Sequence, residues 1–157
     1  MRNLILTLFA ISMLFSCEEE NLTFQEQLII DADIIETFLS DNNITALDDQ
    51  GVYYVIEEEG IGSTYPVNSS LVSMAYSGSV MNGDGTIFDS ATATNPLKTQ
   101  LSNLISGWQV GIPKFKKGGK GTLYIPSGYG YGVFGSGSSI PGNSILIFDI
   151  ELLDFTN

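Results

Sequence analysis

Histidine does not occur in this chain of 157 residues, and cysteine occurs once, as Cys17. Those two shortages remove much of the common catalytic repertoire. No Ser-His or Cys-His nucleophilic couple can be assembled within the chain, nor any histidine-ligated zinc site. A lone cysteine also excludes an internal disulfide. Basic residues are scarce, six against eighteen acidic ones, for a formal net charge of −12. A surface of that sign disfavours nucleic acid and anionic lipid headgroups as partners. Long apolar runs are missing too: the stretch from Leu4 to Phe15 falls short of the roughly 20 residues that cross a bilayer.

What remains fits one domain, for which roughly 100 to 200 residues is the usual span. Two motif-like stretches fail on spacing. Asn82, Asp84, Thr86 and Asp89 carry oxygens but lack the bidentate glutamate of a calcium loop. Gly118-Gly119-Lys120-Gly121-Thr122 has the look of a phosphate loop. That motif needs glycine where Lys114 stands and serine or threonine where Gly121 stands. The reading is therefore no metal and no cofactor.

Residues 1–16 combine Arg2, the apolar run and a small residue, Ser16, just before Cys17, which is the form of a secretory signal. Leu14-Phe15-Ser16-Cys17 resembles a bacterial lipobox. That resemblance implies a mature chain starting at an acylated Cys17, held by two or more acyl chains where one is marginal. The expected location is the cell envelope, on the periplasmic or surface-exposed face of the outer membrane. An ordinary cleaved signal with a spare cysteine is the other reading. Glu18 to Glu20 resemble the surface-export signal of Bacteroidetes lipoproteins, or are a solvated spacer.

From Thr23 to Leu39, Phe24, Leu28, Ile29, Ile34, Ile35, Phe38 and Leu39 recur largely at helical spacing. Thr23 and Glu26 form a capping box, so an amphipathic helix is expected. Ser40 to Asn43 stops it, and Ile44 to Gln50 reads as a polar connector. Packing on the following domain, a spacer role and self-association through this helix are all open.

Val52 to Glu58, a β-branched and aromatic run after Gly51, reads as the first strand. Leu71 to Val80 alternates as a half-buried strand does, and Asn82-Gly83-Asp84-Gly85 supplies turn chemistry before a strand that begins at Ile87 and Phe88. Ser90 to Asn95 reads as a loop or bulge and Pro96 to Leu101 as a short strand. Leu104 to Ile112 reads as a short helix ended by Pro113, with Leu104, Ile105 and Trp108 on its apolar face. Gly121 to Ile125 and Ile145 to Leu152 read as strands framing a long loop dense in Gly, Tyr and Ser. Such loops are functional or disordered, and Tyr129, Tyr131 and Phe134 favour function. Lys114, Lys116, Lys117 and Lys120 make the one basic patch, either decorating the turn into the Gly121 strand or receiving an acidic partner.

Several of these stretches carry a family resemblance. Gly107-Trp108, the Tyr129-Gly130-Tyr131-Gly132 run, Ile140-Pro141 and the ending Phe148 to Leu153 (FDIELL) occur in the order and spacing of the FKBP-type peptidyl-prolyl cis-trans isomerases. Val72 to Gly78 and Thr86 to Ser90 resemble that family's early strands. The resemblance covers residues 51–157. It implies an α+β fold, an antiparallel sheet of about five strands wrapped on a short helix, FKBP-like, here preceded by the extra N-terminal amphipathic helix. The chain then divides into a lipoprotein signal peptide (1–16), an acidic spacer with the N-terminal helix (17–50) and an isomerase domain (51–157).

The resemblance also implies roles. Trp108 is the expected floor under a proline ring, with Tyr76, Phe88 and Phe148 as walls. The Tyr131 hydroxyl and the Ile105 N–H are placed to hold substrate carbonyls, with Asp89 the polar group near the rotating amide. Tyr76, Phe88, Asp89 and Tyr131 form the catalytic set, and Leu104, Ile105, Trp108, Ile140 and Phe148 the substrate-binding set. Each large apolar residue could equally serve only the core. This chain departs from the family pattern in three places. Leu97 stands where an aromatic wall is usual, the segment from Leu101 to Leu104 is shorter, and Thr92 or Ala93 lies where a basic residue often pairs with the aspartate. The expected activity is X-Pro isomerisation that assists folding of exported, proline-containing polypeptides. The alternative is a non-catalytic peptide-binding or chaperone lipoprotein of the same fold.

Overall fold

A computed structural model describes residues 22–81 and 83–157. The expected leader over residues 1–16, Cys17, the acidic run Glu18 to Glu20 and Asn82 of the expected turn lie outside the described residues.

The first helix, α1 (Phe24–Asp41), begins at its capping box. The Glu26 N–H donates to Thr23 Oγ1 (3.3 Å) and the Thr23 N–H to Glu26 Oε2 (2.8 Å), satisfying donors that a helix start otherwise leaves open. The helix passes Leu39 and ends at Asn42 and Asn43, the latter at φ 55°, a left-handed conformation that asparagine tolerates better than most residues.

Seven antiparallel strands follow: β1 (Leu47–Asp49), β2 (Val52–Glu58), β3 (Leu71–Val80), β4 (Ile87–Ala91), β5 (Leu97–Gln100), β6 (Lys120–Ile125) and β7 (Leu146–Thr156). Their order is β1-β2-β6-β7-β3-β4, with β5 also on β3. Because β7 pairs with β3 from Leu71 to Val80, β4 and β5 share the opposite border of β3, separated by an excursion closed at Thr92 and Asn95. The sheet is thus larger than the five strands expected. One addition is β1, inside the stretch read as a connector. Leu-Asp-Asp has no apolar alternation to reveal it. It is set by a tight turn at Gln50 and Gly51, with φ of 54° and 85°, the paired positive values of a two-residue hairpin loop.

Alternation along the central strands sends side chains to two different covers. Leu123 and Ile125 of β6, with Leu146, Phe148, Ile150 and Leu152 of β7, join Val72, Met74, Leu101, Ile112 and Phe115 in the main core. Tyr124 and Ile147, between them, face the other way and pack with Ile35 and Leu39 of α1. The N-terminal helix is therefore a layer of the fold. Fully burying residues such as Ile35 and Leu39 contributes about 1.5–3 kcal/mol each.

The second helix, α2 (Ser106–Gly111), is shorter than expected, because Leu104 and Ile105 have extended ψ values of 170° and 150°. Pro113 sits in the 3-10 turn Ile112–Lys114 that closes it. A Cβ on Gly107 would collide with Ile125, and one on Gly111 would come 2.7 Å from both methyls of Leu123. Two bare positions one turn apart let α2 lie directly on β6, with Trp108 buried beside them.

The basic patch is neutralised in place. Lys114 pairs with Asp49, Lys116 with Glu59 (3.2 Å), Lys117 with Asp154 (2.8 Å) and Lys120 with Glu58 (3.2 Å). These lysines stitch the turn before β6 to its neighbouring strands.

Candidate active site

The aromatic residues singled out from the sequence come from four separate elements and meet on the α2 side of the sheet. Tyr76 lies on β3, Phe88 on β4, Phe148 on β7 and Trp108 on α2. Ring centroids are 4.9 Å apart for Tyr76 and Trp108, 5.0 Å for Trp108 and Phe148, 5.7 Å for Phe88 and Phe148, and 6.1 Å for Tyr76 and Phe148. Interplanar angles run from 61° to 89°, the edge-to-face arrangement in which a positive ring edge meets a negative ring face.

Gly78, which the sequence reading passed over, makes this cluster possible. It pairs with Phe148 of β7 on one side and Asp89 of β4 on the other. A Cβ there would lie 2.5 Å from Phe148 Cε1 and 2.9 Å from Phe88 Cζ, so the two phenyl rings occupy the space that any other residue would claim. The signal was a lone glycine inside an otherwise well-patterned strand.

The floor and the rim differ. Trp108 is 3% exposed and Phe148 likewise 3%. The indole Nε1 is buried without a hydrogen-bond acceptor. Leu104 and Ile105 are half-buried, and Ile140 is buried at the far end of the long loop. The Ile105 carbonyl accepts from Trp108 N (3.0 Å) and Gln109 N (3.2 Å). Its own N–H precedes the helix and takes no part in that turn. Gln109 Nε2 donates to the Leu104 carbonyl at 2.8 Å, fixing this approach to α2.

At the rim, the Tyr76 hydroxyl donates to Asp89 Oδ2 (2.6 Å), and Asp89 Oδ1 accepts from Ser90 N (2.8 Å). Asp89 is exposed, so it escapes the penalty of an unpaired buried charge, and the Tyr76 hydroxyl holds it in a chain that lacks the family's frequent basic partner. Burial, then the hydrogen bond to Asp89, pushes the Tyr76 hydroxyl above its ordinary value. Tyr131 is 38% exposed and is also raised, first by burial and then by the charge of Asp89. Both phenols are thereby kept as neutral O–H donors. A cavity of about 370 Å³ opens beside Phe88, bounded by Val80, Gly83, Asp84, Thr86, Ser139 and Pro141.

The loop from Pro126 to Ile145, which carries Tyr131 and Ile140, is ordered by its own backbone. Tyr129 N donates to Pro126 O and Gly130 N to Ser127 O, both at 3.0 Å. Asn143 N donates to Gly132 O (2.8 Å), and Ser136 and Ile140 exchange hydrogen bonds.

A profile of the FKBP-type peptidyl-prolyl cis-trans isomerase matches residues 62–153. The chain belongs to that family. It is 44% identical over 108 residues to the FKBP-type peptidyl-prolyl cis-trans isomerase FkpA of Buchnera aphidicola, covering 68% of this chain and 42% of that protein. It is 39% identical over 110 residues to FK506-binding protein 1A of Aspergillus fumigatus, covering 68% of this chain and 96% of that one. The crystal structure of FkpA from Escherichia coli superposes with a TM-score of 0.70 at 32% identity, over 85% of this chain and 62% of that chain. The chain thus spans about two fifths of the length of the Buchnera protein. Like those FKBP-type structures it has an antiparallel sheet with a short helix, and among its described residues the sheet has seven strands.

Proposed function

We propose that this chain catalyses cis–trans isomerisation of X-Pro bonds in polypeptides. The observation that carries the reading is the aromatic cluster of Tyr76, Phe88, Trp108 and Phe148 with the Tyr76–Asp89 hydrogen bond at its rim. Rotation about an X-Pro bond needs no nucleophile and no proton transfer. Its barrier is lost amide resonance, about 18–20 kcal/mol, and the uncatalysed exchange takes tens to hundreds of seconds. A twisted amide has surrendered part of its charge separation, so an apolar surround penalises it less than it penalises the planar form. Tyr131 and the Ile105 N–H are the donors that hold the neighbouring carbonyls, and donors fixed in advance cost no reorganisation during the step.

Because the indole is 3% exposed, a proline ring reaches it by displacing rim side chains. Half-buried Phe88 and exposed Tyr131 are the ones with room to swing. Leu97 is half-buried on β5 opposite Met74 and presents an aliphatic wall. We extend the proposal to Cys17 as a lipid attachment point, which makes exported chains in the cell envelope the clients and the membrane a partner through the anchor. Loss of palmitate incorporation on Cys17→Ala tests that part.

A holding role has one observation in its favour. Leu22, Phe24, Val133 and Phe134 are all exposed around one groove, Phe134 at 94%, and contiguous exposed apolar surface marks interaction sites. Refolding of a test protein limited by proline isomerisation separates the two roles. Catalysis accelerates the slow phase, and the acceleration disappears in Asp89→Ala and Tyr131→Ala. Suppressed aggregation with an unchanged slow phase would sink the catalytic reading.

A further inference from the structure

Asp31 is a carboxylate in the middle of α1 that the cleft does not use, and it is 1% exposed. Its Oδ2 accepts from Ser127 N (2.7 Å) and Ser127 Oγ (2.6 Å), and its Oδ1 accepts from Gln27 Nε2 (2.7 Å). A buried acidic group persists only where donors replace its lost water, and here two of the three come from Ser127, the second residue of the loop that carries Tyr131. Ser127 is itself 1% exposed and starts the 3-10 turn Ser127–Tyr129.

The rest of that turn is held by the same helix. The Phe24 ring meets Tyr129 edge-on, 6.0 Å between centroids at 88°. A Cβ on Gly128 would lie 2.6 Å from Phe24 and 3.4 Å from Leu28. Tyr131 therefore stands between two fixed points. On one side the turn is bonded to Asp31, and on the other Gly132 O is bonded to Asn143 N. The second clamp belongs to the loop itself. The first comes from α1, which lies outside the residues 62–153 matched by the family profile.

We propose that Asp31 is a positioning residue for Tyr131, so that the N-terminal helix is part of the working site. This rests on the reading that the Tyr131 hydroxyl holds a substrate carbonyl. Asp31 touches no substrate. It sets where the loop begins, and three residues of 3-10 turn transmit that setting to Tyr131, because a fixed turn leaves few torsions in which an error could be absorbed.

The test is a double-mutant cycle on full-length protein, read as kcat/KM on a short proline-containing peptide and as amide exchange. Tyr131→Phe is expected to lower kcat/KM about three- to tenfold, the range for one lost hydrogen bond. Asp31→Ala should match it, and the double variant should be no worse than the poorer single, since residues acting through one another are not additive. Asp31→Asn, which keeps one acceptor oxygen for Ser127, should recover most of the loss. In Asp31→Ala the amides of Gly130 to Gly132 should exchange faster while those of β3 and β7 stay unchanged. Multiplicative losses in the cycle, or full activity per folded molecule in Asp31→Ala, would overturn the proposal. If Asp31→Ala fails to fold, Ser127→Ala removes only the Oγ bond and should cost about two- to threefold, with unchanged activity again decisive against it. If the wild-type chain does not isomerise proline, the reading of the cleft falls, and unchanged loop exchange in Asp31→Ala would separately show that Asp31 does not hold the turn.

Discussion

The two faces of the sheet use the same strands for opposite ends. On β6 and β7, Leu123, Ile125, Leu146 and Phe148 point toward α2, while Tyr124 and Ile147 point toward α1. The α1 side is closed where the helix crosses Tyr124 and Ile147, with Ile35 and Leu39 filling the contact, and further along β7 Asp149 is exposed. The α2 side is closed over most of its area by aliphatic residues and then, around Trp108, changes to rings whose rim is exposed. Aliphatic side chains interdigitate to crystal-like density, whereas large rings meeting at right angles are stiff plates with few torsions. The difference lies in what each face leaves unfinished. The outer one is sealed where α1 lies on Tyr124 and Ile147, and the inner one ends, around Trp108, in the hydroxyl and carboxylate groups of Tyr76 and Asp89 facing solvent.

That contrast can be broken by substitution. Phe148→Ala is expected to have the largest effect, costing about 3–5 kcal/mol of stability and removing most acceleration of proline-limited refolding. Urea titration and the refolding assay report the two losses, and retention of activity would show that the rings are only core. Leu39→Ala should cost about 2–5 kcal/mol while leaving activity per folded molecule unchanged, since Leu39 touches the outer cluster alone. A fall in that activity would mean the two faces are coupled through this half of α1 as well. Gly78→Ala forces the Phe88 and Phe148 rings apart, with a stability cost of about 1–3 kcal/mol and a larger fractional loss in kcat/KM than any aliphatic core change of equal cost. Tyr76→Phe removes one hydrogen bond, about 0.5–1.5 kcal/mol, and should slow isomerisation a few-fold without altering the fold. Smallest of all is the effect of pH. The chain has no histidine, and Tyr76 and Tyr131 are both raised by burial. A phenol with a raised value keeps its proton further into alkali, so the rate should be flat from about pH 6 to 9. Stability linked to these two groups is fully present below the ordinary phenol value and is lost only as pH rises past it. A step in rate near neutrality would point to a titrating group that the cleft does not contain.

Much of this organisation was readable from the chain. The limits of β2 and β3 and the capped start of α1 follow from alternation and from Thr23 and Glu26, signals that local physics enforces. Trp108, Tyr76, Phe88 and Phe148 were nameable as a set through family resemblance, but nothing in their spacing reveals that the rings stand perpendicular. Three features stayed hidden for one reason, dependence on a distant partner. β1 has no pattern until β2 lies beside it. Gly78 is a defect in a strand until two phenyl rings fold over it. Asp31 looks like one more surface acid on an acidic helix until Ser127, 96 positions away, supplies its donors. The same holds for the lysines of the 114–120 turn, whose ion partners lie on other strands.

The lateral limits of the sheet carry a consequence for the proposed action on polypeptide chains. On one side it ends in β1, three residues of which two are aspartate. On the other it ends in two short pieces, β4 and β5, interrupted at residues 92–96. Among the described residues an extended segment therefore finds no long ribbon of free amides to zip onto, and the two aspartates of β1, which pairing would strip of water, make it costly where the ribbon is shortest. Association can remain brief, made through side chains, and reversible, which suits the proposed isomerisation, where every chain met is released again.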